Sequence, residues 1–179
     1  KAKLSPNILS LGAQPLCDDL KKIGSSKKNK LYKIGLKLCK NCLTINQLHK
    51  IDQKILFPKK YNYRAALTKD VQKGMDDFTN KVFKLIKKKN KSVLDIGCND
   101  GSLLNFFKKK GFKTFGIEPT NAYEDCSKNH KIFNEYFTKK SVTKILSKNK
   151  FIDVVTFTNV FAHIPDFQEL IKNLKLLVP

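Results

Sequence analysis

Val93-Leu94-Asp95-Ile96-Gly97-Cys98-Asn99-Asp100-Gly101-Ser102-Leu103-Leu104 is the stretch whose reading decides the fold of this chain. Residues 93–96 read as a short buried strand, and Gly97 and Gly101 bracket a tight turn. Residues 102–110 carry the apolar spacing of a helix through Leu103, Leu104, Phe106 and Phe107. A strand, a glycine turn and a helix in that order bring backbone N–H groups up to a bound ligand. Glu118 closes the next apolar run about twenty residues on, the spacing of a carboxylate that accepts hydrogen bonds from a ribose diol. The pattern is not G-x-G-x-x-G, because Asn99 stands where a second close glycine would be. Two readings stay open on these residues: a site for a nucleoside-bearing cofactor, or an α/β turn whose glycines serve geometry alone.

Downstream, Gly111 marks a helix stop, and residues 114–117 form a second strand with Glu118 at its tip. A helix follows near Ala122, then a third strand with its turn over 131–137 and a helix over 138–147. The run 151–158 reads as a fourth strand and 165–177 as a helix. Strands alternating with helices predict an α/β, Rossmann-like parallel sheet with helices on both faces and right-handed crossovers. Ligands in such sheets collect at the carboxyl ends of the strands, which here carry Asp95, Glu118 and Asn159. Asp95 is expected to support the glycine turn and a ligand amine, and Glu118 to hold ribose hydroxyls. Either could instead be a solvated loop carboxylate. Asp153, inside an apolar run, is placed to cap a neighbouring backbone group.

Upstream, residues 70–88 predict a long amphipathic helix with an apolar stripe of Val71, Met75, Phe78, Val82, Leu85 and Ile86. The lysines from Lys87 to Lys91 close it at the end where positive charge is favoured. Tyr61 and Tyr63 share a face if the segment is extended, either as packing residues or as a pocket wall. Arg64 could meet a phosphate or lie on the surface. Residues 5–15 look turn-rich, 16–23 could form a short helix, and 31–38 a strand leading into Cys39. Cys39-Lys40-Asn41-Cys42 sets two thiols at knuckle spacing, half of a four-ligand zinc site. Cys17 and His49 are conceivable further ligands. Ordinary buried cysteines, or a redox pair, are the other readings.

The chain has 179 residues and a formal charge of +21. Arg64 is its single arginine, and the lysines are spread from Lys1 to Lys175. Nucleic-acid readers lean on arginine forks, so the charge reads as solvated surface, with no nucleic-acid partner. No apolar run is long enough for a membrane span, and no signal peptide is visible. Five cysteines, an odd number, argue against a disulfide framework and for a reducing cytoplasm. Lys1 and the open-ended apolar run 174–178 read as the cut ends of a longer protein.

Several separate segments agree, in order and spacing, with one family. Leu11-Gly12-Ala13-Gln14-Pro15-Leu16, Cys39-x-x-Cys42, Leu56-Phe57-Pro58-x-x-Tyr61-x-Tyr63, the Asp95–Leu104 turn, Gly116-Ile117-Glu118-Pro119 and Asn159-Val160-Phe161-Ala162-His163 resemble the S-adenosylmethionine-dependent sugar C-methyltransferases with an amino-terminal zinc-binding domain. The resemblance implies a partial zinc-binding domain over 1–60, a linking segment and helix over 61–91, and a partial methyltransferase domain over 92–179. It implies Cys39 and Cys42 as one of two thiol pairs on a structural zinc, with the first pair missing from this chain. Asp95, Gly97, Asn99, Gly101, Glu118 and Asn159 would bind S-adenosylmethionine, with Asp95 and Asn99 towards its methionine-bearing end. Tyr61, Tyr63 and His163 would face a nucleotide-linked keto-deoxysugar, which loses an α-proton and takes the methyl group on carbon. The principal base in that family lies in a carboxyl-terminal domain, so this chain alone is expected to turn over poorly. A zinc-ribbon binding module on a degenerate α/β domain, or O- or N-methylation on the same cofactor domain, are the alternatives.

Overall fold

The computed structural model describes residues 3–178, in two compact units, Lys1–Leu56 and Phe57–Pro179. The second unit takes in the 61–91 segment that the sequence sets apart as a link.

In the first unit, β1 (Leu4–Pro15), β2 (Leu31–Cys39) and β3 (Ile45–Gln47) form an antiparallel sheet in that order. One helical turn, α1 (Gln53–Leu56), follows. The expected strand at 31–38 is present, but the turn-rich segment at 5–15 is a strand as well. Its turn residues fall where β1 tolerates them. Pro6 lies on an edge strand between register shifts, and Gly12, at φ 69°, lies inside another such shift. The helix expected at 16–23 does not form. Leu20 and Ile23 find nothing to pack on, being 69% and 106% exposed, and so short a helix is unstable without tertiary contacts. Gly35 and Cys39 are the unit's only buried residues among those described.

The second unit opens with a 3₁₀ turn, Ala65–Leu67, and the helix α2 (Lys69–Leu85). β4 (Ser92–Ile96), α3 (Ser102–Lys109), β5 (Lys113–Ile117), the single turn α4 (Tyr123–Cys126), β6 (Lys131–Phe133), α5 (Lys139–Leu146), β7 (Val154–Thr156) and α6 (Phe167–Leu177) follow. All four strands are parallel, in the order β6-β5-β4-β7. The chain winds outward from β4 through β5 to β6, then returns to the other side of β4, so the direction reverses at the carboxyl end of β4.

Side-chain alternation along β4 sends its two faces into two cores. Leu94 and Ile96 pack with Phe115, Ile117, Val142 and Ile145. Val93 packs with Leu103, Leu104 and Phe107, beneath Met75, Val82 and Ile86 of the α2 segment. Met75, Val82 and Ile86 of the predicted stripe are therefore a core face, whereas Phe78 is 38% and Leu85 79% exposed. α2 stops three residues before the expected Lys88. Lys88 instead pairs with Asp153 at 2.9 Å, and Lys91 lies 3.7 Å over the Phe83 ring. The fourth strand is only Val154–Thr156, shorter than the expected 151–158. Asp153 leaves the ladder to accept from the Ser92 N–H (2.7 Å) and hydroxyl (2.8 Å), the backbone cap its sequence position implied. Ile152 N–H donates to Leu177 O at 2.8 Å instead of to a strand. Among the described residues, no helix is long and apolar enough to cross a membrane.

Candidate functional site

The glycine turn leaves the carboxyl end of β4 and closes onto β5. Gly97 N–H and Cys98 N–H both donate to Ile117 O, at 2.7 and 3.1 Å. Gly97, Asn99 and Gly101 all have left-handed backbones, with φ of 71°, 51° and 76°. A Cβ at Gly97 would stand 2.5 Å from Val160 Cγ2, and one at Gly101 only 2.4 Å from Cys126 Cβ. Both glycines are thus demanded by conformation and by space. Asn99 is among the few other residues that accept such a backbone readily.

Two acids stand at the strand tips. Asp95 is buried and accepts from Thr156 Oγ1 at 2.7 Å. Burial, with the neighbouring Glu118 charge adding to it and the Thr156 bond opposing, raises its pKa to about 7. Glu118 is buried too. Its Oε2 accepts from Asn99 N–H (2.9 Å), and its Oε1 from Thr120 N–H (2.9 Å) and Thr120 Oγ1 (2.7 Å). With two acceptor positions per oxygen, Oε2 keeps one for a ligand hydroxyl. A second would require Thr120 to give way.

Sequence reasoning missed Asp100. It is buried, caps the start of α3 through Ser102 N–H (3.0 Å), and accepts from Ala66 N–H (2.8 Å). It also missed Asn121, whose Oδ1 accepts from Tyr61 N–H at 2.9 Å while its own N–H donates to Lys59 O at 2.7 Å. Only the local Asp-Gly-Ser pattern of a helix start could have flagged Asp100. Arg64 is tied into the chain in this structure, with a side chain that is mostly covered. It donates to Tyr61 O (2.7 Å) and Tyr63 O (3.0 Å) and pairs with Asp125.

Tyr61, Tyr63 and His163 come together through a ring that was not singled out, Phe57. The Tyr63 and Tyr61 ring centroids are 6.5 Å apart, Tyr61 and Phe57 5.8 Å, and Phe57 and His163 5.0 Å, each pair edge-to-face. His163 is exposed, in the 3₁₀ turn Phe161–His163 after β7. Asn159, on the same connection, is exposed and left-handed at φ 57°. Asn99 lies against the segment that carries the two tyrosines, its Nδ2 donating to Tyr63 O at 3.1 Å.

Cys39 ends β2, and Cys42 sits in the turn that leads to β3. Leu43 N–H donates to Cys39 O at 2.9 Å, and Cys39 N–H to Thr44 O at 2.9 Å. Cys39 is buried and Cys42 exposed. Hydrogen bonds from Thr44, and from Cys39 to a lesser degree, lower the Cys42 thiol pKa. Among the described residues, no group of three or more His, Cys, Asp or Glu side chains is placed to hold a metal. Cys17 instead bonds to Asp18 at 3.6 Å.

The family described as "Methyltransferase domain" matches residues 67–179. This chain belongs to that family. A ubiquinone biosynthesis O-methyltransferase of Coxiella burnetii is 29% identical over 93 residues, 50% of this chain and 40% of its own length. The C-methyltransferase NovU of Streptomyces niveus is 22% identical over 178 residues, 96% of this chain and 42% of its own. The chain thus spans about two fifths of the length of these curated relatives. The plantazolicin methyltransferase BpumL, solved in complex with a pentazolic desmethylPZN analog and SAH, superposes with a TM-score of 0.50. It is 22% identical, over 63% of this chain and 44% of its own. What the methyltransferase domain shares with BpumL is the fold.

Proposed function

We propose that this domain binds S-adenosylmethionine at the β4 turn and, within the whole protein, methylates a carbon of a nucleotide-linked keto-deoxysugar. The residues fit the cofactor. Gly97 and Gly101 allow the left-handed turn and its close packing on Val160 and Cys126, Glu118 keeps an acceptor position at the β5 tip, and Asp95 offers a buried carboxyl near both. The cofactor would supply an electrophilic methyl group. This chain's residues would supply orientation, which accounts for much of the rate in such transfers. Carbon attack first needs a proton removed beside a carbonyl. The His163 imidazole and the Tyr61 and Tyr63 phenols, drawn together around Phe57, are suited to orient the acceptor and its protons.

One observation carries the choice of carbon acceptor. The NovU likeness runs across both units, 178 residues, whereas the O-methyltransferase likeness covers 93. O-methylation remains the second reading because those 93 residues are the more similar, 29% against 22%.

Calorimetry on the full-length protein tests the cofactor. S-adenosylmethionine and S-adenosylhomocysteine should bind and a nicotinamide dinucleotide should not. Glu118→Gln puts an NH₂ group where Asn99 N–H or Thr120 N–H now donates, so at least one charge-assisted bond is lost. At roughly 1.5–3 kcal/mol for such a bond, affinity should fall about tenfold or more. Unchanged affinity in the variant, or tight nicotinamide binding, defeats the assignment.

The zinc reading belongs here too. Two thiols cannot close a structural site, but a Cys42 thiol whose pKa is lowered, three residues from Cys39, suits a metal-binding pair. Full-length protein should carry about one zinc per chain, with Cys39 and Cys42 as two of its four thiol ligands. Elemental analysis should show that Cys39→Ser loses most of it. Equal zinc in both proteins would end the idea.

A further inference from the structure

We propose that Asn99 is a positioning residue, coupling occupation of the cofactor turn to the segment that carries Tyr61 and Tyr63. The inference rests on the cofactor reading above.

Asn99 bonds in three directions. Its N–H donates to Glu118 Oε2 at 2.9 Å, its Oδ1 accepts from Ala65 N–H at 3.0 Å, and its Nδ2 donates to Tyr63 O at 3.1 Å. The next residue repeats the contact, since Asp100 Oδ2 accepts from Ala66 N–H at 2.8 Å. The segment before α2 is therefore a strap laid on the glycine turn and held by the side chains of the turn itself. Arg64 stiffens it from within, bonding Tyr61 O and Tyr63 O and pairing with Asp125. Asn121 pins its start at Tyr61 N–H.

The backbone at this position does not itself call for asparagine. At φ 51° glycine would sit with less strain. What asparagine adds is an amide with an acceptor and a donor on one rigid plane, matched to an N–H and a C=O two residues apart on the strap. Glycine would keep the turn and the bond to Glu118 and would release the strap.

A ribose on Glu118 draws on the same oxygen that holds Asn99 N–H. Cofactor binding therefore fixes Asn99, Asn99 fixes Ala65 and Tyr63, and the ring chain from Tyr63 to His163 is set in place. Coupling of this kind is reciprocal: a set strap holds the turn. Cofactor binding would then prepare the acceptor side before the acceptor arrives.

Hydrogen exchange on the full-length protein, with and without S-adenosylhomocysteine, reads this directly. In the wild type, the product should slow exchange in the 61–67 segment by about tenfold, as expected when two local hydrogen bonds tighten. Asn99→Gly should exchange about tenfold faster at 61–67 without ligand and, at a concentration of S-adenosylhomocysteine that calorimetry shows to saturate it, gain no protection from ligand. Asn99→Asp keeps the acceptor for Ala65 N–H and loses the donor to Tyr63 O, so it should fall between. Full ligand-induced protection in Asn99→Gly overturns the proposal. Absence of binding to the wild type would overturn the cofactor reading, and the coupling with it, before any variant is compared.

Discussion

Gly101→Ala should destabilise the methyltransferase domain by roughly 2–5 kcal/mol, against about 1–2 kcal/mol for Gly111→Ala. Both glycines are left-handed, at φ 76° and 78°, so both substitutions incur the cost of an L-residue in that region. The surroundings separate them. A Cβ at Gly111 meets nothing within 4 Å, whereas at Gly101 it meets Cys126 Cβ at 2.4 Å and His130 Cδ2 at 3.2 Å. Neither neighbour can retreat easily. A Cβ moves only with its backbone, and Cys126 is buried between α3 and β6. His130 is held at both ring nitrogens, by Thr114 at 2.8 Å and Asn105 at 3.0 Å. Urea unfolding of both variants measures the difference. Equal midpoints would show that backbone strain is the whole cost and that the turn is not tightly packed. Because the displaced residues pack against the glycine turn, where we place the cofactor, Gly101→Ala should also abolish measurable S-adenosylhomocysteine binding, while Gly111→Ala should keep it.

The sheet was legible because its evidence is local. Val93 to Ile96, the two glycines and Glu118 fall within one βαβ unit, where hydrophobic period and turn chemistry suffice. The stripe on α2 was legible for the same reason, up to Leu85, where tertiary packing turns the chain away. β1 was not legible, because Pro6 and Gly12 read as loop punctuation unless the strand is known to be a bulged edge. The fourth strand was overestimated because Phe151 and Ile152 are as apolar as a strand requires; what ends the ladder is Asp153 reaching Ser92, 61 residues back in sequence.

In the site, residue types at strand tips could be read, but their partners could not. Asn99 was singled out as an oddity in a glycine turn, yet its meaning lies 34 and 36 residues upstream, at Ala65 and Tyr63. Phe57 joins the tyrosines to His163 only once β7 lies beside β4. Arg64 looked available for phosphate because nothing in the sequence announces Asp125 or the carbonyls it holds. Long-range pairing of this kind has no period, and only the fold supplies it.

Asp95 and His130 should give the domain two opposed pH dependences that nearly hide one another. Asp95 has a pKa of about 7 in the folded chain against 3.8. Its folded form holds the proton more tightly than the unfolded form, so its contribution is complete below about pH 4 and is lost as pH rises to about 7. At about 1.4 kcal/mol per pH decade, that amounts to roughly 4 kcal/mol. His130 runs the other way. Burial, then the nearby Lys108 charge, lowers its pKa from 6.5 to about 4. The fold prefers the neutral ring, so stability is lost as pH falls from about 6.5 towards 4. Asp153, its pKa lowered in the folded chain, acts below 3.8 and stays out of this window. Removing either partner should unmask the other. Asp95→Asn still accepts from Thr156 but no longer titrates, and its unfolding free energy should climb as pH rises from 4.5 to 6.5. In His130→Gln it should fall over the same range, by a few kcal/mol. Urea titrations at several pH values read the slopes, which do not depend on what each substitution costs outright. Parallel profiles for wild type and both variants would mean that neither group's pKa differs between the folded and unfolded chains, and hence that Asp95 is ionised in the folded chain across this range. In that case water or a counter-charge must reach the base of the glycine turn, where Asp95 accepts from Thr156 and lies near the Glu118 charge.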